Sequence, residues 1–242
     1  PPFQNCIVNG MVLAEDGSKM SKSKQNYPPP MNVLNEYGAD ALRAYLITSP
    51  VVRAEPLRFN EAGVREVVRT VLLPLQNAWS FFVQYANIDG FDPKTGFNHY
   101  GMPPAKERSD LDRWILSVLQ SLIKEVNEQM EGYFLYKVVP PTLGFIDDLT
   151  NWYIRRSRRR FWRSAADSAG QFDKACAYAT LYEVLVTFSK VMAPILPFIT
   201  ESIYQNLVIE SSSTSDDPES VHLCDFPEVD LALIDTQLEQ NV

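Results

Sequence analysis

Between Leu111 and Val126 the apolar residues fall at steps of three and four almost without a break: Leu111, Trp114, Ile115, Val118, Leu119, Leu122, Ile123 and Val126. At 3.6 residues per turn these steps gather on one stripe, so the segment reads as a helix that buries one side. Ser109 stands where a side-chain cap belongs. The same spacing recurs in Val64, Val67, Val68, Val71, Leu72, Leu75, Trp79, Phe82 and Val83, with Asn60 as cap and Glu61 in the first turn. Pro74 lies inside that pattern and predicts a kink. A third helical region starts near Phe134, is interrupted by Pro140–Pro141, and resumes through Phe145, Ile146, Leu149, Trp152 and Tyr153. A fourth spans about 172–192, and a fifth about 197–208 with Pro197 in its first turn. With 45% apolar residues in 242 there is enough to fill a core. Successive one-sided stripes predict a mainly α fold, an antiparallel helix bundle.

The flanks read differently. Cys6–Leu13 is expected to be a β-hairpin, two short apolar runs about the turn pair Asn9–Gly10. A loop at 15–18 leads into a lysine-serine stretch ending at Lys24, and Pro28–Pro30 is extended and stiff. A short helix over 31–36 is ended by Gly38. Asp40 then occupies the first turn of a helix running to about Thr48, closed by Ser49–Pro50. The segment 89–104 is a loop. Residues 211–218 read as a polar linker, 220–226 as strand-like, and the tail from Asp230 as a helix cut short.

Several classes are excluded from expectation. No run of 18 apolar residues predicts a membrane span. The start Pro1-Pro2-Phe3 has no secretory leader and reads as an internal fragment. Cys6, Cys176 and Cys224 are far apart, which fits three inert thiols in a reducing compartment. His99 and His222 lie in no nucleophile or metal pattern, so no metal site is expected. No phosphate-binding glycine motif occurs, and a self-contained active site is not expected.

Two constellations carry chemistry. Gly17 to Lys24 holds Ser18, Lys19, Ser21, Lys22, Ser23 and Lys24, cations that match a polyphosphate. The second is Asn151-Trp152-Tyr153-Ile154-Arg155-Arg156-Ser157-Arg158-Arg159-Arg160-Phe161-Trp162-Arg163. The chain has a net charge of −8 from 22 basic and 30 acidic residues; without these six arginines the balance is 16 against 30. Positive charge is thus concentrated, and the local field is what a polyanion meets. On a helix, Arg155, Arg156, Arg159, Arg160 and Arg163 share an arc of about 140°, with Trp152 in the same sector and Ile154 and Phe161 opposite. Arginine forks for phosphates and aromatics for stacking suit RNA. The plainer alternative is a structural helix whose arginines pair with the abundant carboxylates.

The string Lys19-Met20-Ser21-Lys22-Ser23, preceded by Asp16-Gly17 and followed by Asn26, resembles the second signature of class I aminoacyl-tRNA synthetases. Tyr37-Gly38-Ala39-Asp40-Ala41-Leu42-Arg43 is similar to the segment that follows it in that class. The tryptophan-arginine string resembles the anticodon-binding bundle of isoleucyl-tRNA synthetases, as do Met192 to Glu201 and Val221 to Pro227; valyl and leucyl enzymes resemble these strings less closely. The resemblance implies that 1–56 is the end of a Rossmann-type catalytic domain with a connecting element, 57–210 a helical anticodon-binding domain, and 211–242 a linker and the start of a C-terminal region. It implies that Lys22, with Lys19, contacts ATP and the departing pyrophosphate, flanked by Ser21 and Ser23. Trp152, Arg155, Arg156, Arg159, Arg160 and Arg163 would meet tRNA. The parent would use ATP, Mg²⁺, isoleucine and tRNA(Ile), as a cytoplasmic monomer with no membrane partner. The His-Ile-Gly-His signature is absent, so the chain by itself is not expected to charge tRNA. A non-catalytic RNA-binding module and a plain helical scaffold stay open as alternatives.

Overall fold

The computed structural model describes residues 2–163, 167–211 and 217–242. The predicted linker at 211–218 lies largely outside them. The order of elements is strand β1 (Val12–Leu13), helices α1 (Pro30–Tyr37) and α2 (Ala39–Thr48), strand β2 (Leu57–Arg58), then α3 (Glu61–Val67), α4 (Leu73–Asp89), α5 (Asp110–Glu131), α6 (Val139–Asp147), α7 (Arg155–Trp162), α8 (Ser168–Met192), α9 (Pro197–Tyr204) and α10 (Thr236–Asn241).

The expected caps form. The Asn60 side chain accepts from the Ala62 N–H at 2.6 Å, and that of Ser109 from the Asp112 N–H at 3.3 Å. α5 buries Trp114, Ile115, Leu119, Leu122, Ile123 and Val126 on its stripe. α8 lies at the centre of the bundle, where 175–181 is buried on every side. Its alanines let neighbouring helices approach, and such all-round burial is what an interior helix needs. Between α8, α4 and α7 sits an aromatic cluster: the Phe161 ring is 4.9 Å from Tyr178 and 5.1 Å from Phe81, centroid to centroid.

Three helices carry a π turn among the described residues, at Val68–Leu72, Asp148–Ile154 and Gln205–Ile209. The first lies immediately before Pro74, so the irregularity predicted there takes this form: a widened turn accommodates a ring that cannot donate and would crowd the preceding carbonyl.

Three expectations are corrected. The first is the hairpin about Asn9–Gly10. β1 pairs instead with β2, in parallel, Val12 against Leu57 and Leu13 against Arg58. Gly10 does not take a positive φ. Its N–H donates to the Val51 carbonyl at 2.6 Å, and a Cβ there would stand 1.8 Å from the Glu55 carbonyl oxygen. The glycine is therefore needed for a close backbone approach, not for a turn. Second, Pro140–Pro141 do not interrupt a helix. They occupy the first turn of α6, where a missing N–H costs nothing. Third, 220–226 is not strand-like. It holds a 3₁₀ turn at Val221–Leu223. The Glu201 carboxylate accepts from the Val221 N–H and the Ser220 hydroxyl, both at 2.9 Å, taking the role a neighbouring strand would have had.

Candidate phosphate and RNA contacts

The lysine stretch is a short loop hung from β1. The Ala14 N–H donates to the Ser18 carbonyl at 2.9 Å, and Gly17 takes φ 82° at the turn. Asn26 closes the loop from inside. Its Oδ1 accepts from the Ser21 N–H at 2.9 Å, while its Nδ2 donates to Ser18 Oγ at 2.9 Å and to the Lys19 carbonyl at 3.1 Å. Ser21 and Ser23 share a hydroxyl–hydroxyl hydrogen bond of 2.8 Å. Lys19, Lys22 and Lys24 are exposed, whereas Met20 is half-buried. Met20, Asn26 and Tyr27 border an open cleft of about 470 Å³ together with Phe59 and Asn60. The loop thus presents three ammonium groups on a backbone pinned by one amide side chain. Asn26 is a positioning residue that charge-based reading passed over. Its signal was an amide two residues beyond the last lysine, in a segment with few other internal partners.

The arginine segment is helical over Arg155–Trp162, but its outward face differs from the expected one. Arg155, Arg156, Arg158 and Arg159 are exposed, as are Trp152 and Trp162 at 38% and 55%. None of these four arginines enters an ion pair among the described residues. The Arg156 guanidinium sits 4.6 Å over the Trp152 ring, a cation–π contact. Relative to the expected arc, the exposed one is turned by about 50°, which brings in Arg158 and Trp162 and takes out Arg160.

Arg160 turns inward, its side chain only 14% exposed. Its Nη1 and Nη2 donate to the two carboxylate oxygens of Asp112, each at 2.7 Å, and Nη2 also meets Asp173 Oδ1 at 2.9 Å. Asp112 is fully buried and accepts further from Tyr153 OH and Ser109 Oγ, both at 2.7 Å. Burial pushes the Asp112 carboxyl up, but the Arg160 hydrogen bonds and charge, with those of Ser109 and Tyr153, outweigh it and hold it below the usual carboxylate range. The fork that was expected to face a phosphate is occupied by an acid from another helix. Arg163 lies just past the helix end in extended backbone, with its carbonyl accepting from Lys174 Nζ at 3.2 Å. Phe161 and Ile154 are buried as the pattern required.

Residues 112–242 match the anticodon-binding domain of tRNA ligases. The chain belongs to that family. Residues 1–58 match a second family, the class I tRNA synthetases for I, L, M and V. Among individual relatives, an isoleucine–tRNA ligase of Chlamydia trachomatis serovar D is 54% identical over all 242 residues, and that of Chlamydia abortus is 53% identical over the same span. The ligase of Chlamydia pneumoniae is 52% identical. The chain spans 22% of the length of each of these relatives. In fold it is similar to the Agrobacterium radiobacter K84 agnB2 LeuRS, solved as a ternary complex with tRNA and LeuAMS. The TM-score is 0.62 at 20% identity, covering 94% of this chain and 24% of that one. Within the anticodon-binding domain match lie the whole arginine helix, its Asp112 partner and the segment 220–226 folded over α9; the lysine loop lies within the synthetase match.

Proposed function

We propose that the chain is the part of an isoleucine–tRNA ligase that brings the lysine loop to ATP and grips the anticodon arm of tRNA(Ile). The single observation that carries the tRNA reading is an outward face of four arginines and two tryptophans, with no carboxylate ion pair to those arginines among the described residues, inside a segment of the anticodon-binding family. Guanidinium forks left open by the protein are available to phosphate oxygens, and the indole faces to unstacked bases. The names of the relatives support the choice of isoleucine.

In this reading residues 1–56 close the catalytic domain, 57–210 form the tRNA-gripping bundle, and 211–242 lead into a C-terminal region. Lys22, supported by Lys19, places positive charge against the phosphates of ATP, where it stabilises charge developing on the departing pyrophosphate. Ser21 and Ser23 flank it and line the same phosphates. Among the described residues no group of three or more His, Cys, Asp or Glu is arranged to hold a metal ion. Mg²⁺ would come with the nucleotide. The parent ligase works as a cytoplasmic monomer.

The test is a salt titration of tRNA binding by the full-length ligase and its Arg155→Ala/Arg158→Ala/Arg159→Ala variant. Each phosphate contact removed should lower the slope of log affinity against log salt by about 0.7–0.9. Unchanged affinity and slope would refute the assignment. For the loop, Lys22→Ala should impair adenylate formation with tRNA affinity intact; undiminished adenylation would sink its role.

A further inference from the structure

The segment 37–43 and the segment 192–201 both stand out in the sequence, and neither supplies a contact to ATP or tRNA in the reading above. The fold brings them together. Asp40 and Arg43 lie one turn apart on α2, on one face, and both reach the junction between α8 and α9. The Asp40 carboxylate, which is 6% exposed, accepts from the Phe198 N–H at 3.2 Å and the Ile199 N–H at 2.7 Å. These are first-turn donors of α9, which has no side-chain cap of its own. Arg43 donates through Nη2 to the Pro194 carbonyl at 2.8 Å and through Nε to the Ile195 carbonyl at 3.2 Å, just beyond the end of α8. One short helix thus offers an anion to the positive end of α9 and a cation to the carbonyls that follow α8. Both ends are satisfied from a site more than 150 positions away in sequence.

The place of α2 gives this contact its meaning. It follows the lysine loop through Asn26, the prolines and α1. On one side Ala41 packs in a small cluster with Val33 and Val64, while Ala44 belongs to the main core of the bundle. α8, in turn, packs directly against α7, the arginine helix. A path therefore runs from the lysine loop along the chain through α1 to α2, and from α2 by contacts across the α8–α9 junction to the RNA-facing arginines.

We infer that Asp40 and Arg43 are positioning residues: a polar latch that fixes the anticodon-gripping bundle relative to the lysine loop, so that a tRNA held at one end delivers its acceptor end correctly at the other. The inference rests on the functional reading above. It predicts a split between two half-reactions of the ligase. Isoleucine activation needs the loop and the catalytic domain but not the anticodon end, whereas transfer to tRNA needs both ends in register.

In the full-length ligase, Asp40→Ala and Arg43→Ala should lower the turnover of tRNA charging by on the order of tenfold, since small misplacements far from the chemistry are costly. Isoleucine-dependent pyrophosphate exchange and the KM for tRNA should stay within about twofold of the unaltered enzyme. Asp40→Asn, which keeps one acceptor oxygen, should recover part of the loss. A second measurement is independent of substrate. Spin labels at Lys24→Cys and Lys124→Cys, on a background cleared of reactive cysteines, report the separation of the loop from α5, and Asp40→Ala should broaden that distance distribution. Exchange and charging falling together, or charging left unchanged, would overturn the latch as a device for transfer. An unchanged distance distribution would overturn it as a mechanical link, whatever the ligase proves to charge. An unaltered ligase that activates isoleucine but charges no tRNA would count against the functional reading alone.

Discussion

Replacing Arg160 should destabilise the protein far more than replacing its neighbour Arg159, although both were equal members of one basic helix by sequence. Arg160→Ala removes a guanidinium whose two terminal nitrogens sit on the oxygens of a fully buried carboxylate at 2.7 Å. Asp112 would be left with only neutral donors, Tyr153 OH and Ser109 Oγ. Breaking a buried pair from one side costs roughly 3–5 kcal/mol, because the remaining charge is uncompensated. Arg159→Ala, on the solvent face, should stay within about 0.5 kcal/mol. Asp112→Leu/Arg160→Met, which removes both charges, should regain much of the loss. Urea denaturation followed by tryptophan fluorescence measures all three. The pH profile sharpens the test. In the native protein the Asp112 carboxyl is held below its ordinary value, so its contribution is present above about pH 4 and fades as the pH falls further. Without Arg160, burial dominates and the carboxyl rises above its unfolded value, so protonation relieves the variant. The stability gap between the two proteins should therefore narrow from pH 7 towards pH 3. A gap that is constant or widens on acidification, or equal losses for Arg159→Ala and Arg160→Ala, would refute the assignment of Arg160 as the partner of the buried Asp112.

Two further outcomes are expected. Asn26→Ala, which removes three hydrogen bonds from inside the lysine loop, should reduce ATP-dependent adenylate formation by on the order of tenfold while leaving tRNA affinity unchanged; steady-state pyrophosphate exchange and a tRNA titration check both halves. Cys176 is buried and its thiol is pushed up to about 11, burial being the chief cause. At pH 8 a thiol reagent should therefore label the exposed Cys6 quickly and Cys176 only on unfolding, as timed absorbance and peptide mapping would show.

The parts of this fold that were legible in the sequence are those decided within a few residues. Asn60 and Ser109 cap their helices because the donor each side chain needs lies two or three positions ahead. The stripe on α5 buries because its period is set by the helix itself. What was illegible depends on partners distant in sequence. Asn9–Gly10 has the composition of a hairpin turn, yet Gly10 is required by the backbone at Glu55. The strand-like run at 220–226 pairs with no strand among the described residues, and Glu201 supplies its hydrogen-bond partner instead. Six arginines in nine residues announced a polyanion contact, but which of them turn inward depends on Asp112, 48 positions earlier. No pattern internal to the arginine helix contains that acid.

The π turn at Asp148–Ile154 has a consequence for how this helix can change over generations. Such a turn holds one residue more than a regular helix would, so it stores a phase offset of about 100°. Loss of a single residue within it would let the helix close up into an ordinary ladder and leave everything from Arg155 onward in its present phase, whereas closure with every residue kept would swing that stretch round by that angle. In that second case the basic side chains would turn towards the aromatic cluster, and Phe161 towards water. Point substitutions on the outward face are cheap by comparison, since each touches solvent. The turn is therefore the place where this helix can lose a residue without re-aiming its arginines, while an insertion or deletion between Arg155 and Phe161 should be tolerated far less than any single exchange on the outward face.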